Sequence, residues 1–168
     1  MNFKEIPVKD FEGNFVRMID DGWALITAGD ESAYNTMTAS WGGIGELWNR
    51  DVCFIFIRPS RHTKKFVDEQ ELFTLSFPGE EYRKALTYCG RNSGRDGNKF
   101  EASGLTPVFV DGTVAVEEAD AIFICKKIAQ QEITPDGFLD EAIDTSCYPL
   151  KDYHTMYIGE IVKVLVKE

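Results

Sequence analysis

The sequence has no long hydrophobic segment and is poor in cations. Its longest uninterrupted apolar run spans residues 52–57, whereas about 20 apolar residues are needed to cross a bilayer. The N-terminal stretch MNFKEIPVKDFEG contains no apolar segment typical of an export signal, so the cytoplasm is the expected location. Lysine and arginine together number 18 against 28 acidic residues, for a net charge of −10. This balance argues against nucleic acid and anionic membrane surfaces as partners.

Residue types that bind metals are also scarce. The chain has two histidines and four cysteines, and no two cysteines have CxxC spacing. A metal site is therefore not expected. Cys53 and Cys125 lie within apolar runs, where a cysteine usually acts as a small buried hydrophobic residue.

Short apolar segments that end at glycine or proline dominate the chain. The length of 168 residues, without a linker or repeat, predicts one domain over residues 1–168. The segments predict strands over residues 23–28, 35–40, 53–57 and 72–77. A longer pair is joined by TPDG, which is typical of a hairpin loop, and covers residues 115–133 and 138–146.

Two short helices are predicted between these strands. One covers residues 64–70 with Thr63 as its N-cap, and the other covers residues 81–89 and ends at Gly90. Strands and helices do not alternate regularly. The pattern therefore predicts a mainly β fold, a closed antiparallel barrel with short helical insertions.

The final predicted strand, residues 154–166, has apolar side chains on both faces. Alternation with a period of two places one set on a single face: Met156, Ile158, Val162, Val164 and Val166. Ile161 and Leu165 lie opposite that set. Because a barrel strand needs only one buried face, the second set is expected to contact a partner surface, which predicts a homodimer.

Polar side chains are concentrated in the segment NTMTASWGG, residues 35–43. The strand end and glycine turn offer backbone N–H groups near Trp41, an arrangement that suits a flat heteroaromatic ligand with polar edges. Successive strand residues face opposite sides, so Thr38 and Ser40 do not share a face with Met37. The alternative is an edge strand whose hydroxyl groups face water.

A cationic segment, RPSRHTKK, covers residues 58–65 of this acidic chain. Ser60 and Thr63 lie just ahead of a predicted helix, whose N-terminus suits a phosphate group. Arg58 can add a bidentate contact to the same group. We therefore favour phosphate binding here over the alternative, an ordinary solvated loop.

Two further segments are ambiguous. Residues 89–100, CGRNSGRDGNKF, form a glycine-rich loop that matches neither the P-loop nor the GxGxxG pattern, so a helix end and turn explain it equally well. His154 opens the last strand within DYHTMYIGE. A lone histidine is more often structural, and no nucleophile triad surrounds this one.

In this order, NTMTASWGG, RPSRHT, CGRNSGRDGNKF followed by GLTP, and YHTMYIGE resemble the flavin reductase-like proteins, a family that includes flavoredoxins. The resemblance covers about residues 20–166. It implies the FMN-binding split barrel, an antiparallel and Greek-key-like fold with short helical insertions. It also implies a homodimer that holds FMN non-covalently near the dimer interface.

The resemblance also implies roles for particular residues. The expected contacts to the isoalloxazine ring are Asn35, Met37, Thr38, Ser40 and Trp41. The expected phosphate ligands are Arg58, Ser60 and Thr63, with Ser93 and Lys99 near the phosphate or ribityl chain. His154 is the candidate catalytic residue, near the flavin or nicotinamide, with a pKa expected near neutrality. Tyr153 stands where the family has an acid before this histidine.

The reaction expected from this resemblance is redox chemistry at FMN, with NADH or NADPH as co-substrate. The protein would be an NAD(P)H-dependent flavin reductase or a flavoredoxin-like electron-transfer protein. A non-enzymatic FMN-binding electron carrier or storage protein is the main alternative. A second alternative is a barrel whose flavin site has been lost.

Overall fold

The computed structural model describes residues 2–168 as ten strands and five α-helices, together with three 3₁₀ segments and one π segment. The strands are β1 (Phe3–Ile6), β2 (Ala24–Gly29), β3 (Tyr34–Ala39), β4 (Gly42–Leu47), β5 (Arg50–Ile57), β6 (Leu72–Pro78), β7 (Pro107–Val110), β8 (Thr113–Val116), β9 (Ala119–Glu132) and β10 (Thr155–Lys167). The helices are α1 (Phe15–Arg17), α2 (Thr63–Glu69), α3 (Arg83–Arg91), α4 (Lys99–Ser103) and α5 (Glu141–Cys147). Within residues 2–168, no helix is both long enough and apolar enough to span a membrane.

Eight strands form one antiparallel sheet in the order β3-β2-β6-β9-β10-β5-β4, with β1 added to β10. The sheet curves around a core of apolar side chains from β2, β3, β5, β6, β9 and β10. Strands β7 and β8 form a separate hairpin, which is attached to β6 where the Thr74 hydroxyl donates to the Val114 carbonyl at 2.8 Å. The two edge strands, β3 and β4, are consecutive in the chain and are joined at Ser40 and Trp41.

Gly159 in β10 allows close packing at the centre of the sheet. A side chain at this position would place Cβ 2.6 Å from the Phe73 ring and 2.9 Å from Cβ of Cys125. Cys53 and Cys125, on the strands flanking β10, consequently bring their sulfur atoms to 3.3 Å. Both thiols are free and buried, as expected for cysteines that act as small hydrophobic residues.

The predicted face of the last strand was wrong because β10 contains a bulge. Ile161 pairs with Cys125 and Lys163 with Ile124, so Val162 is the extra residue. A bulge shifts the alternation by one residue. The core face therefore contains Ile161 and then Val164, whereas Val162 is 50% exposed. Ile161 and Leu165 are both buried within the chain, so the expectation that they contact a partner surface was wrong.

The predicted hairpin was also wrong. Residues 138–146 contain α5 rather than a strand, and Asp140 caps this helix by accepting a hydrogen bond from the Ala142 N–H at 3.0 Å. TPDG forms a 3₁₀ turn, Pro135–Gly137. Residues 115–133 divide between β8 and β9, and Gly42 begins a strand that was not predicted.

The predicted helices lie close to α2 and α3, with different ends. Helix α2 begins at Thr63, and the residue in its N-cap position is His62. The expectation that Thr63 is the N-cap was therefore wrong. A 3₁₀ turn, Glu80–Tyr82, precedes α3.

Candidate functional site

A cleft of about 170 Å³ opens where the edge strands β3 and β4 meet. Residues 37–41 form one wall, and Phe56, Arg58, Arg61 and His154 complete the lining. Trp41 is 46% exposed and is available to contact a ligand. Met37, Thr38, Ser40 and Trp41, which were predicted from one segment, thus lie together in the cleft.

His154 lies against aromatic side chains in this cleft. Its ring centre is 5.3 Å from that of Trp41 and 6.4 Å from that of Phe56. Its Nδ1 atom lies 2.8 Å from the Tyr148 hydroxyl. Burial, and then the charge of Arg58, lower the pKa of His154 to about 4. The imidazole is therefore neutral at pH 7, which corrects the expectation of a pKa near neutrality.

Arg58 lines the cleft but is held by the protein itself. Its guanidinium donates to the Asp152 carboxylate at 2.7 Å and to the Cys147 carbonyl at 2.9 Å. It also lies 4.9 Å from the centre of the Tyr148 ring. The charge of Arg58 is thus largely offset by Asp152, which reduces the attraction of Arg58 for an external anion.

Arg61 is the cation with the least compensation in the cleft. It donates to the Gly90 carbonyl at 2.5 Å, and within residues 2–168 it forms no ion pair. Burial, and then the nearby charge of Arg58, lower the pKa of the Arg61 guanidinium. A buried cation without a counter-ion is stabilised by an anionic ligand.

Two more cavities adjoin the cleft at Arg61. One, of about 240 Å³, shares Thr38, Ser40 and Arg61 with the cleft and extends to Arg91. The other, of about 310 Å³, extends from Arg61 to Arg95, Lys64 and Lys65, with Asp68 and Glu69 also in its wall. Lys64 and Lys65 pair with Asp68 and Glu69 in that wall. The cations of these two cavities that form no ion pair within residues 2–168 are therefore Arg61, Arg91 and Arg95.

Asn35 and Thr63 are buried away from the cleft. The Asn35 amide donates to the Thr63 hydroxyl at 2.8 Å, which ties β3 to α2. Gly94 also packs on this pair, since a Cβ there would lie 2.1 Å from Oδ1 of Asn35. In this arrangement both residues support the walls of the site.

Lys99 is also buried, with 4% exposure. Its ammonium donates to the carbonyls of Thr36 at 2.9 Å and Cys89 at 2.7 Å. Burial is the main cause that lowers its pKa to about 8. Lys99 therefore links β3 to the end of α3 beside the cavities.

Ser60 and Ser93 lie in neighbouring loops that Arg95 connects. Arg95 donates its guanidinium to the Ser60 carbonyl at 3.1 Å and its backbone N–H to the Ser93 hydroxyl at 3.2 Å. Neither serine lines the cleft beside Trp41. Both sit on the cationic side of the site.

Three contributors to the site were not predicted as site residues: Phe56, Arg61 and Tyr148. Arg61 lies inside the cationic segment, but sequence alone does not show which arginine of that segment is already paired. Phe56 belongs to a buried strand, and Tyr148 follows a helix that was predicted as a strand. Across residues 2–168, no three side chains of the metal-binding types group together.

The antiparallel sheet, with an aromatic and cationic cleft at its two edges, defines a β protein suited to a flat, anionic ligand. A family model described as flavin reductase like domain matches residues 16–168. The chain therefore belongs to the flavin reductase-like domain family. Comparison with curated proteins gives no match.

Solved structures share the fold. An FMN-binding domain of a flavin reductase-like enzyme from Shewanella baltica matches with a TM-score of 0.71 at 17% identity, covering 99% of this chain and 78% of that one. Flavoredoxin of Desulfovibrio vulgaris (Miyazaki F) matches with a TM-score of 0.68 at 27% identity, covering 87% and 69%. The NADH:FAD oxidoreductase of Streptomyces globisporus, in complex with NAD and FAD fragments, matches with a TM-score of 0.64 at 16% identity, covering 85% of this chain and 73% of that one. The predicted mainly antiparallel β fold of the split-barrel type is confirmed.

Proposed function

We propose that this protein binds FMN non-covalently and acts as an NAD(P)H-dependent flavin reductase or flavoredoxin-like electron-transfer protein. The observation that supports this most strongly is the position of Arg61. This half-buried cation lacks a counter-ion among residues 2–168 and lies where an aromatic cleft meets two cation-lined cavities. A ligand with a flat ring at one end and a phosphate at the other matches that distribution.

The residues of the cleft fit FMN. Met37, Trp41 and Phe56 offer apolar surface to the ring, and the backbone of residues 38–41 offers polar groups to its edges. Arg61 would hold the phosphate, because a charge-assisted contact to phosphate restores the solvation that the guanidinium loses on burial. When bound, FMN supplies the two-electron redox chemistry, and the protein supplies orientation and electrostatics.

Other residues keep this site in shape and set its charge. Asp152 offsets Arg58 at the ring end of the cleft. His154 is neutral there and offers a hydrogen bond without adding charge. Asn35 and Lys99 hold β3 against α2 and α3. The wall that contacts the ring is thus fixed before a ligand binds, which lowers the entropic cost of binding.

We also propose that the protein is a homodimer. Apolar surface remains exposed on β10 at Val162, in the cleft at Trp41, and in the turn between β4 and β5 at Trp48. A second copy that covers this surface would remove it from water and narrow the open cleft. Sedimentation at micromolar concentration should give twice the chain mass of 19.0 kDa, and a 19.0 kDa species would contradict the proposal.

The visible spectrum of the purified protein tests the proposed function. We expect FMN to bind stoichiometrically, and NADH or NADPH to bleach its absorbance under anaerobic conditions. Bleaching by dithionite but by neither nucleotide would instead identify an electron carrier or storage protein. A protein that stays colourless after FMN is added and removed by gel filtration would refute both.

A further inference from the structure

Tyr148 contacts His154 in a place shielded from water. Their side chains are 3% and 8% exposed, and the hydroxyl oxygen lies 2.8 Å from Nδ1. A hydrogen bond in such a low-dielectric place is stronger than one at the surface. The hydrogen-bond partner of His154 is thus Tyr148, which directly follows α5, and not the neighbouring Tyr153.

The Tyr148 ring is held on several sides. The Arg58 guanidinium lies 4.9 Å from the ring centre, and the ring of Tyr153 lies 5.0 Å away at 36°. The backbone N–H of Tyr148 donates to the Asp144 carbonyl at 3.1 Å, at the end of α5. These contacts fix the position of the hydroxyl group relative to His154.

The direction of this hydrogen bond follows from the proton on the phenol. If Tyr148 accepted a bond from Nδ1–H, its own O–H would need another acceptor. Within residues 2–168, Nδ1 of His154 is the one hydrogen-bond acceptor that this hydroxyl reaches. A buried hydroxyl hydrogen without an acceptor is costly, so donation from Tyr148 to Nδ1 is favoured.

The other ring nitrogen of His154 faces the cleft. Nε2 has no hydrogen-bond partner among the described residues. If it were also buried, it would be a buried polar atom without a partner, but among these residues the one such side-chain atom is Oγ1 of Thr113. Nε2 is therefore accessible, and the cleft is the cavity that His154 lines.

We propose that Tyr148 is a positioning residue for His154, which it fixes as the Nε2–H tautomer with that N–H directed into the cleft. The cleft thereby gains a neutral donor for a carbonyl or ring-nitrogen acceptor of a heteroaromatic ligand. That the ligand is a flavin or nicotinamide rests on the proposed function; the tautomer itself does not.

Imidazole ¹⁵N spectra of the uniformly labelled protein, recorded without flavin or nucleotide, test the tautomer directly. The chain has two histidines, so His62 supplies an internal reference. We expect His154 of the wild type to show Nε2–H and unprotonated Nδ1 from pH 5.5 to 8. Tyr148→Phe should give a mixture of tautomers, whereas Tyr153→Phe, which removes a neighbouring hydroxyl bonded to Asp144, should not.

The pKa of His154 gives a second readout. The charged groups acting on the ring are Arg58, Asp152 and Arg61, and all three remain in Tyr148→Phe. Because the Tyr148 hydroxyl donates to the neutral ring, its loss should raise the pKa of His154. A merely structural tyrosine would leave both tautomer and pKa unchanged.

Kinetics connect the tautomer to the proposed reaction. At saturating NADH or NADPH, Tyr148→Phe should slow flavin reduction by roughly tenfold, the effect of one neutral hydrogen bond. FMN affinity should stay within about threefold, since most of it comes from ring and phosphate contacts elsewhere. Tyr153→Phe should leave both quantities unchanged.

Two results would overturn the inference. One is an Nδ1–H tautomer in the wild type, which decides the question even if Tyr148→Phe does not fold. The other is a folded Tyr148→Phe variant that keeps the wild-type tautomer. A wild type with the expected tautomer whose flavin neither nucleotide reduces would contradict the proposed NAD(P)H-dependent reaction and leave the role of Tyr148 intact.

Discussion

Replacing Arg61 by alanine should separate FMN from riboflavin, which lacks the phosphate. Arg61 is half-buried and forms no ion pair within residues 2–168, where its guanidinium donates to the Gly90 carbonyl. A hydrogen bond to a charged group contributes about 1.5–3 kcal/mol. With about 1.4 kcal/mol per factor of ten, Arg61→Ala should weaken FMN about 10- to 150-fold. Riboflavin binding should change by less than about threefold, because the ring contacts remain.

Arg58→Ala is the informative comparison. Arg58 already pairs with Asp152 at 2.7 Å, so its removal frees a carboxylate and takes a cation from the Tyr148 ring. We expect lower stability and a smaller loss of FMN affinity than for Arg61→Ala. Arg50→Ala, at an exposed pair with Glu160, controls for the change in net charge.

Fluorescence titration of FMN and riboflavin against each variant measures these effects at a fixed ionic strength. Salt matters because it screens the long-range part of the attraction. Equal losses for both ligands in Arg61→Ala would show that this residue does not contact the phosphate. If Arg58→Ala instead loses FMN selectively, the phosphate site belongs to Arg58 and the reasoning from charge compensation is wrong.

Two further predictions concern stability in the absence of flavin. Burial lowers the pKa of Lys99 from 10.5 to about 8, so between these pH values the unfolded chain retains a proton that the folded chain has released. In this pH range the free energy of unfolding of the wild type should therefore rise relative to that of Lys99→Met, by at most about 1.4 kcal/mol per pH unit. If urea denaturation gives the same difference between the two proteins at pH 7.5 and at pH 9.5, the prediction is wrong. Gly159→Ala should destabilise the protein by about 1–3 kcal/mol through overpacking against Phe73. Gly45→Ala, where the nearest atom is 3.9 Å away, is its control, and equal stability of the two variants would refute the packing argument.

The sequence located strands where local signals suffice. A glycine or proline lies at or just after the end of each of these apolar runs, so β2, β3, β5 and β6 lie close to their predicted positions. The strand predicted over residues 138–146 was wrong because scattered apolar residues do not distinguish a strand from a short helix. The better signal was Asp140, an N-cap residue followed directly by Glu141.

The bulge in β10 illustrates a different limit. Alternation read from Met156 onward predicts one continuous face, but the extra residue at Val162 exchanges the faces halfway along. Pairing with β9 determines where the bulge falls, and β9 is more than 20 residues earlier in the chain. A local pattern contains no information about that register.

The candidate site was predictable by segment but not by residue. The cationic run at residues 58–65 does lie beside the cleft, because β5 ends there. Asp152 pairs with Arg58 and so decides which arginine of the run keeps its charge without a counter-ion. Asp152 lies far along the chain, in the segment between β9 and β10. The hydrogen-bond partner of His154 was equally unpredictable. It is Tyr148, the residue directly after α5, and no spacing rule links these two residues.

The charge pattern of the cleft gives a physical reason why it should orient an asymmetric ligand. Asp152 offsets Arg58, and burial keeps His154 neutral. The ring end beside Trp41 is therefore nearly free of net charge, and the positive charge is concentrated at Arg61. A ligand with a flat neutral ring and a terminal anion gains apolar contact in one orientation and a buried ion pair in that same orientation. The reversed orientation loses both, because it places the anion against Trp41 and the ring on a guanidinium that has no ion-pair partner among the described residues.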